Sequence, residues 1–162
     1  MADPLSITAS VAGIVVPALH GIRLLLCDLQ QIKNSPEDIN ILKDKINLLE
    51  LALASLNAID EGQWRSLGST VADEAKSTVK ICATSCEKFR VDIQRWTRHS
   101  HGQTLSLRDR CKIGFWKQDY IKSVLGQLQN CQVSISSVVS IATLYVLPKA
   151  GHQGIHCADN CN

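Results

Sequence analysis

The feature that most constrains the fold is a row of apolar residues at three- and four-residue steps, found in four separate stretches of the chain. Such steps place the members of a row on one side of an α-helix. Four helices that each have one apolar side can bury those sides against one another, so the sequence predicts an all-α fold, a bundle of four long helices. The rows are Val11, Val15, Ala18, Ile22, Leu25, Leu29, Ile32; Ile39, Leu42, Ile46, Leu49, Leu53, Leu56; Val71, Ala75, Thr78, Cys82, Cys86, Phe89, Ile93, Trp96; and Ile121, Leu125, Leu128, Cys131, Ile135, Val138, Ala142, Tyr145.

Capping residues and helix breakers give the expected bounds of these helices. Asp3 and Pro4 are typical of a helix start, while Pro17 lies inside the first helix and should kink it. Ser35 and Pro36 predict the start of the second helix. The four helices are expected at about residues 3–32, 36–58, 70–96 and 117–146, the third after a cap at 68–70.

The segments outside the long helices have weaker patterns. Asp60 to Gly62 is expected to end the second helix, with a short turn at 64–67. A loop is expected at 97–106, and a short extra helical segment at 107–116, before the last helix. Residues 148–162 contain one branched apolar residue, so we expect a disordered tail. The predicted division is a helical domain at 1–147 and a tail at 148–162.

The composition is that of a soluble globular protein with no strong charge. The chain has 162 residues, 45% of them apolar, and a formal net charge of +2. This charge is too small to indicate nucleic-acid binding, so no such partner is expected. The seven cysteines are odd in number and several fall inside predicted helices, which indicates a reducing compartment. The first residues lack the basic start of a secretory signal, so a cytoplasmic location is predicted.

No arrangement of residues in the sequence points to catalysis or a cofactor. Phosphate-binding loops, dinucleotide-binding glycine motifs, zinc-protease motifs and nucleophile elbows are absent from it. Cys82 and Cys86 share a helical face, where core packing is favoured over metal binding. Zinc-like ligands occur near the end of the chain, but with nothing around them to pack on a metal; these are His152, His156, Cys157 and Cys161. We therefore predict a non-enzymatic protein without cofactor or metal.

Basic residues gather around the predicted loop after the third helix. With Trp96, Phe115 and Trp116 beside them, they form a candidate docking surface for an anionic membrane or an acidic partner. The alternative is that they face the acidic second helix or water. The predicted basic docking surface comprises Arg95, Arg98, Arg108, Arg110 and Lys112.

The first helix is a candidate for contact with a membrane or with another copy. It has no charge from Leu5 to Ile22, 18 residues that reach the lower edge of a membrane span, and small residues at four-residue steps. A buried bundle helix is favoured over a permanent span, while a helix that leaves the bundle for a membrane stays an alternative. The predicted membrane or self-association residues are Leu5, Ile7, Ala9, Gly13, Ile14, Val16, Leu19 and Gly21.

Two parts of the chain resemble a known family. The opening stretch MADPLSITASVAGIVVPALHG is similar to the fungal N-terminal domain of STAND-type receptors, which carry a NACHT or other P-loop NTPase. The same domain is also named after protein L of azaphilone pigment clusters, and it is related to HeLo-like domains of fungal incompatibility proteins. The stretches GFWKQ at 114–118, QLQNC at 127–131 and SSVVSIA at 136–142 resemble this family as well.

The resemblance implies an α-helical signalling module without nucleotide chemistry of its own. The expected function is a non-enzymatic interaction domain that acts by protein–protein association, with itself or another helical signalling domain as partner. The alternative is a membrane-engaging cell-death effector that uses the N-terminal helix. A small enzyme is the least favoured alternative.

Overall fold

The computed structural model describes residues 4–32, 37–97 and 117–145, and the side chains from residue 7 onward within the first of these ranges. These residues form five helices: α1 Pro4–Gln30, α2 Glu37–Asn57, α3 Glu61–Leu67, α4 Ser69–Thr97 and α5 Gln118–Leu144. The predicted all-α class is confirmed, and the four long helices lie within a few residues of their expected bounds. The predicted segment at 107–116 and the predicted tail at 148–162 lie outside the described residues.

The four long helices form a ring in the order α1, α2, α5, α4. Each packs on its two neighbours in this ring, whereas α1 and α5, and likewise α2 and α4, lie at opposite corners and do not touch. Lys76 of α4 donates to Ser10 of α1, and Arg90 of α4 pairs with Asp28 further along α1, so α1 and α4 run parallel. Arg23 of α1 pairs with Glu50 of α2, which runs antiparallel to it.

The core lies along the axis of the ring and is built from the predicted rows. Every member of the rows on α1 and α2 is buried. On α4, Ala72 and Val79 occupy the core, and Val71 and Thr78 are only half-buried, so the row slips by one residue at its start. Tyr145, predicted to be a core residue at the end of α5, is exposed. The apolar row of α5 continues to Tyr145, beyond the part of the helix that neighbouring helices cover.

The short helix α3 closes one end of the bundle and carries the chain across it. Trp64 is 1% exposed and sits beneath α1, α4 and α5. Asp60 and Gln63 cap the helix reciprocally: the Asp60 carboxylate accepts from the Gln63 amide, and the Gln63 side chain accepts from the Asp60 amide. The expectation of a simple turn at 64–67 was wrong because this capping box starts a helix at Glu61.

The strength of the core is tested by shortening two of its fully buried side chains. Ile46→Ala and Leu128→Ala each remove apolar atoms from sites that are 0% and 1% exposed. Each should lower the free energy of unfolding by about 2–5 kcal/mol, measured by urea denaturation. Leu51→Ala, at an exposed position on α2, is the matched control and should change it by about 0.5 kcal/mol or less. Equal effects at Leu51 and Ile46 would contradict this core.

Gly68, between α3 and α4, is the second test, because its backbone needs glycine. Its φ is +86° and its ψ 165°, a region that residues with a Cβ rarely adopt. Gly68→Ala should therefore lower the free energy of unfolding by about 1–3 kcal/mol. Gly126→Ala on α5 is the control: a Cβ there meets nothing within 4 Å, so it should raise that free energy by about 0.5–1 kcal/mol. Stabilisation by both changes would contradict the strained turn.

Candidate association surface

The outward side of α1 is almost free of charge. A second row at three- and four-residue steps runs along it, opposite the core row, and consists of Ala9, Gly13, Val16, His20, Arg23 and Cys27, all exposed. The row contains no Asp, Glu or Lys, and its one Arg, Arg23, pairs with Glu50 at 2.6 Å. From Ala9 to Val16 this face therefore offers water only small and apolar groups.

The structure separates the predicted residues of α1 into an outer and an inner group. Ala9, Gly13 and Val16 are exposed, and Gly21 is partly so. Ile7 and Ile14 are partly buried and pack against the core. Leu5 lies in the helix, but its side chain is outside the described set.

Leu19, predicted as a membrane or self-association residue, lies in the core instead of on the outer face, because its side chain is only 8% exposed. Leu19, Arg23 and Leu26 share one side of α1, and Arg23 on that side reaches Glu50 of α2. A helix flanked by two neighbours buries a wider arc than a single row, and Leu19 lies on the part of this arc that α2 covers.

A groove of about 570 Å³ runs between α1 and α4. Its α1 bank is uncharged and its α4 bank carries the polar and charged groups. A Cβ built on Gly13 or Gly21 meets nothing within 4 Å, so the packing of the domain itself does not require glycine at these positions. The groove is lined by Gly13, Ile14, Pro17, Ala18, Gly21, Lys80, Ala83, Thr84, Glu87 and Lys88.

A second groove, of about 350 Å³, lies between α4 and α5. Val133 and Ile141 are exposed beside it, and Glu74 is its one charged lining residue. The α5 sequence has no charge from Ser123 to Tyr145. Its hydroxyl groups bond back to carbonyls one turn earlier, as Ser137 does to Val133, so they offer this groove few free donors.

The outward side of α2 carries an apolar row that the sequence reasoning missed. Ile41, Leu48 and Leu51 are 41%, 44% and 65% exposed, although they are large and apolar. They share one face with Glu37, Asp44 and Ser55, which are exposed as well. A second row at three- and four-residue steps on the same helix was the signal in the sequence that could have identified it.

Of the predicted basic docking surface, the described residues include only Arg95. Its side chain is 68% exposed and lies 3.9 Å from Asp92, one turn earlier on α4. The other four predicted residues lie outside the described residues; they are Arg98, Arg108, Arg110 and Lys112. Their contact with a partner and the alternative contact with α2 both stay predictions. Arg95 itself is on α4, which does not touch α2.

Beside Arg95, three aromatic rings join the end of α4 to the start of α5. The centroids of Phe89, Trp96 and Tyr120 lie 5.8–6.1 Å apart, and the Lys117 ammonium lies 5.5 Å from the Trp96 ring. The Tyr120 hydroxyl donates to Asp92 at 2.9 Å. Partial burial, followed by this bond and the Asp92 charge, raises the pKa of Tyr120, so the phenol stays protonated. The three rings therefore pack the end of α4 against the start of α5.

Three thiols meet in the core between α4 and α5. Cys82, Cys86 and Cys131 are buried, whereas Cys27 on α1 is exposed. Hydrogen bonds with Cys131 and Cys86, together with burial, raise the pKa of Cys82. The hydrogen bond with Cys82 lowers the pKa of Cys131 to about 7, although burial acts in the opposite direction. Within the described ranges, no three His, Cys, Asp or Glu side chains are grouped to hold a metal ion.

Access, rather than acidity, should decide which of these thiols reacts. In native protein at pH 7.5, iodoacetamide should modify Cys27 quickly, and Cys82, Cys86 and Cys131 only after unfolding in guanidinium chloride. Mass spectrometry of the peptides measures each site separately. If native Cys131 reacted as fast as Cys27, then α4 and α5 would separate readily in solution, in conflict with the packed interface.

Comparison with known proteins places the chain in a sequence family. A family model described as "Pigment biosynthesis cluster protein PigL N-terminal" matches residues 2–150. Comparisons with curated proteins and with solved structures gave no match. The family is that of an N-terminal domain, is not an enzyme family in itself, and is consistent with the N-terminal domains of fungal STAND-type proteins. Since the match covers nearly the whole chain, the protein belongs to the PigL N-terminal family.

Proposed function

We propose that this domain is a non-enzymatic helical signalling module of fungal STAND type that acts on the cytoplasmic side by protein–protein association through α1. The observation that carries the proposal is the uncharged outward row of α1. Val16 in this row is 55% exposed, and the row contains no Asp, Glu, Lys or Arg before Arg23. The partner of such a surface is a helix of another copy or of another helical signalling domain.

The residue choice on α1 supports contact with something outside the domain. Glycine in a helix costs about 0.5–1 kcal/mol relative to alanine, and an interior proline about 3 kcal/mol. Gly13, Pro17 and Gly21 nevertheless all lie along the outer side and the groove. The bundle itself leaves open space at both glycines. Small residues at such positions let a partner helix approach the backbone closely.

Membrane contact through α1 is the second candidate. Ile7–Gln30 is, by length and composition, the one described helix that is able to cross a membrane, and only 39% of its most apolar stretch is buried inside the domain. Against this, core helices of soluble proteins pass the same test, and Val15, Ile22 and Leu25 are fully buried. Departure of α1 would expose them and separate Asp28 from Arg90. The basic surface that begins at Arg95 would support such contact if the lipids were anionic.

The test compares two neighbouring positions on α1. Val16→Asp places a charge on the exposed face, so it should leave the helical circular dichroism intact and weaken association or membrane binding. Val15→Asp, at a position with 0% exposure, is the control and should unfold the domain. Sedimentation velocity measures association, and flotation with anionic liposomes measures membrane binding.

The two measurements separate the candidates. Loss of association in Val16→Asp, without flotation of the wild type, supports the protein contact. Flotation that is lost in Val16→Asp supports the membrane contact instead. A wild type that neither associates nor floats, and that Val16→Asp leaves unchanged, would leave α1 as a core helix only.

A further inference from the structure

We infer that copies of this domain join head to tail, with the outward row of α2 from one copy seated in the groove between α1 and α4 of the next. The α2 row is called the ridge here and consists of Glu37, Ile41, Asp44, Leu48, Leu51 and Ser55. The occupant is a second copy because ridge and groove match in apolar character, in the spacing of their charges and in the sign of those charges.

The ridge combines exposed apolar side chains with negative charge only. Ile41, Leu48 and Leu51 project from the side of α2 opposite its core row. Glu37 and Asp44 are the charged members of the ridge, and neither forms a salt bridge within the described part of the chain. Lys45 is the described basic residue of α2 that lies nearest to the ridge, and it is half-buried at the edge of the ridge.

The groove offers the complementary combination. Ile14, Ala18 and Ala83 give it an apolar lining. Lys80 and Lys88 on its α4 bank are exposed and form no salt bridge with a described residue. Glu87 is the one acidic lining residue, so the lining carries two positive charges against one negative charge. An uncharged α1 bank leaves the lysines to set the sign of the groove.

The spacing of the charges agrees along the two elements. Glu37 and Asp44 are seven residues apart on α2, and Lys80 and Lys88 are eight residues apart on α4. At about 1.5 Å per helical residue these spacings are about 10 and 12 Å. Both acidic groups can thus meet both ammonium groups when the ridge lies along the groove, with Ile41, between Glu37 and Asp44, directed at the apolar lining between the lysines.

The position of the two surfaces makes the association open-ended. The groove lies on the α1–α4 side of the ring, and α2, which does not touch α4, points its ridge away from it. One copy therefore cannot place its own ridge in its own groove. Because ridge and groove are different surfaces, their contact is heterologous, and each copy can bind one neighbour on each side. Mass should then grow beyond a dimer as concentration rises.

The inference rests on the proposed role as an association domain, but it uses side chains other than Val16. The experiment uses charge reversal in the full chain. The ridge variant combines Glu37→Lys with Asp44→Lys, and the groove variant combines Lys80→Glu with Lys88→Glu. Each variant alone should bind to itself with an affinity at least about tenfold below that of wild type, because two attractive charge pairs become repulsive.

An equimolar mixture of the two variants is the decisive sample. The reversed ridge of one variant matches the reversed groove of the other, and the unchanged surfaces of the pair match as well. The mixture should therefore regain wild-type association in sedimentation velocity. A control that combines Asp119→Lys with Lys122→Glu on exposed α5 positions should behave as wild type, and Ile41→Gln should weaken association without any change of charge.

The outcomes judge this contact separately from the α1 contact. If the mixture stays monomeric, or if Ile41→Gln and the ridge variant associate as wild type does, the ridge–groove contact is overturned. If charge reversal acts as expected and Val16→Asp has no effect, the ridge–groove contact stands and association through α1 fails. A wild type that is monomeric at every soluble concentration overturns the head-to-tail contact. Unchanged helical circular dichroism shows that each variant is folded.

Discussion

The placement of α2 and α4 at opposite corners of the bundle is the constraint on which the remaining structure depends. It obliges the chain to cross the end of the bundle, and α3 makes that crossing with buried Trp64 beneath the other helices. The crossing places α4, which runs parallel to α1, next to α1, so that both helices of the α1–α4 groove bring their N-terminal halves to the same end. A ring in chain order would instead have placed α4 beside α2 and opposite α1, and this groove would not exist.

Polar contacts fix the two ends of α1 unequally. Near its C-terminal end, Asp28 accepts from Arg90 at 2.8 Å and from Gln94 at 2.9 Å, with both ionic side chains only 24% exposed. Near its N-terminal end, the described polar link to another helix is the 3.3 Å bond from Lys76 to Ser10. Partly buried ion pairs are screened less by water than exposed ones. The N-terminal half of α1 is therefore held mainly by apolar packing, and any opening of the bundle should begin there.

Periodicity in the sequence predicted which side of each long helix is buried, but not how the helices are arranged. The apolar row of α2 indicates that one side of this helix packs against another helix, and every residue of the row is buried. The row does not state which helix that partner is, because the ring order follows from the crossing at α3. For the same reason the sequence did not show that Leu19 is buried: the width of the arc that a helix buries depends on its neighbours. The capping box of Asp60 and Gln63, by contrast, is visible in the sequence, and it starts α3 where only the end of α2 was expected.

The candidate surfaces were predictable to different degrees for a related physical reason. The uncharged face of α1 was visible in the sequence because it is an absence of charge over a long stretch. The ridge on α2 is not evident from the sequence because its apolar members alternate with Glu37 and Asp44. The same pattern is typical of an ordinary helix face that is exposed to solvent. Exposure of Leu48 and Leu51 distinguishes the two interpretations. A contact that relies on a few such side chains and two ion pairs is weak in dilute solution. Its occupancy then follows local concentration, which tethering of copies raises to the millimolar range, so that clustering of domains would itself drive their assembly.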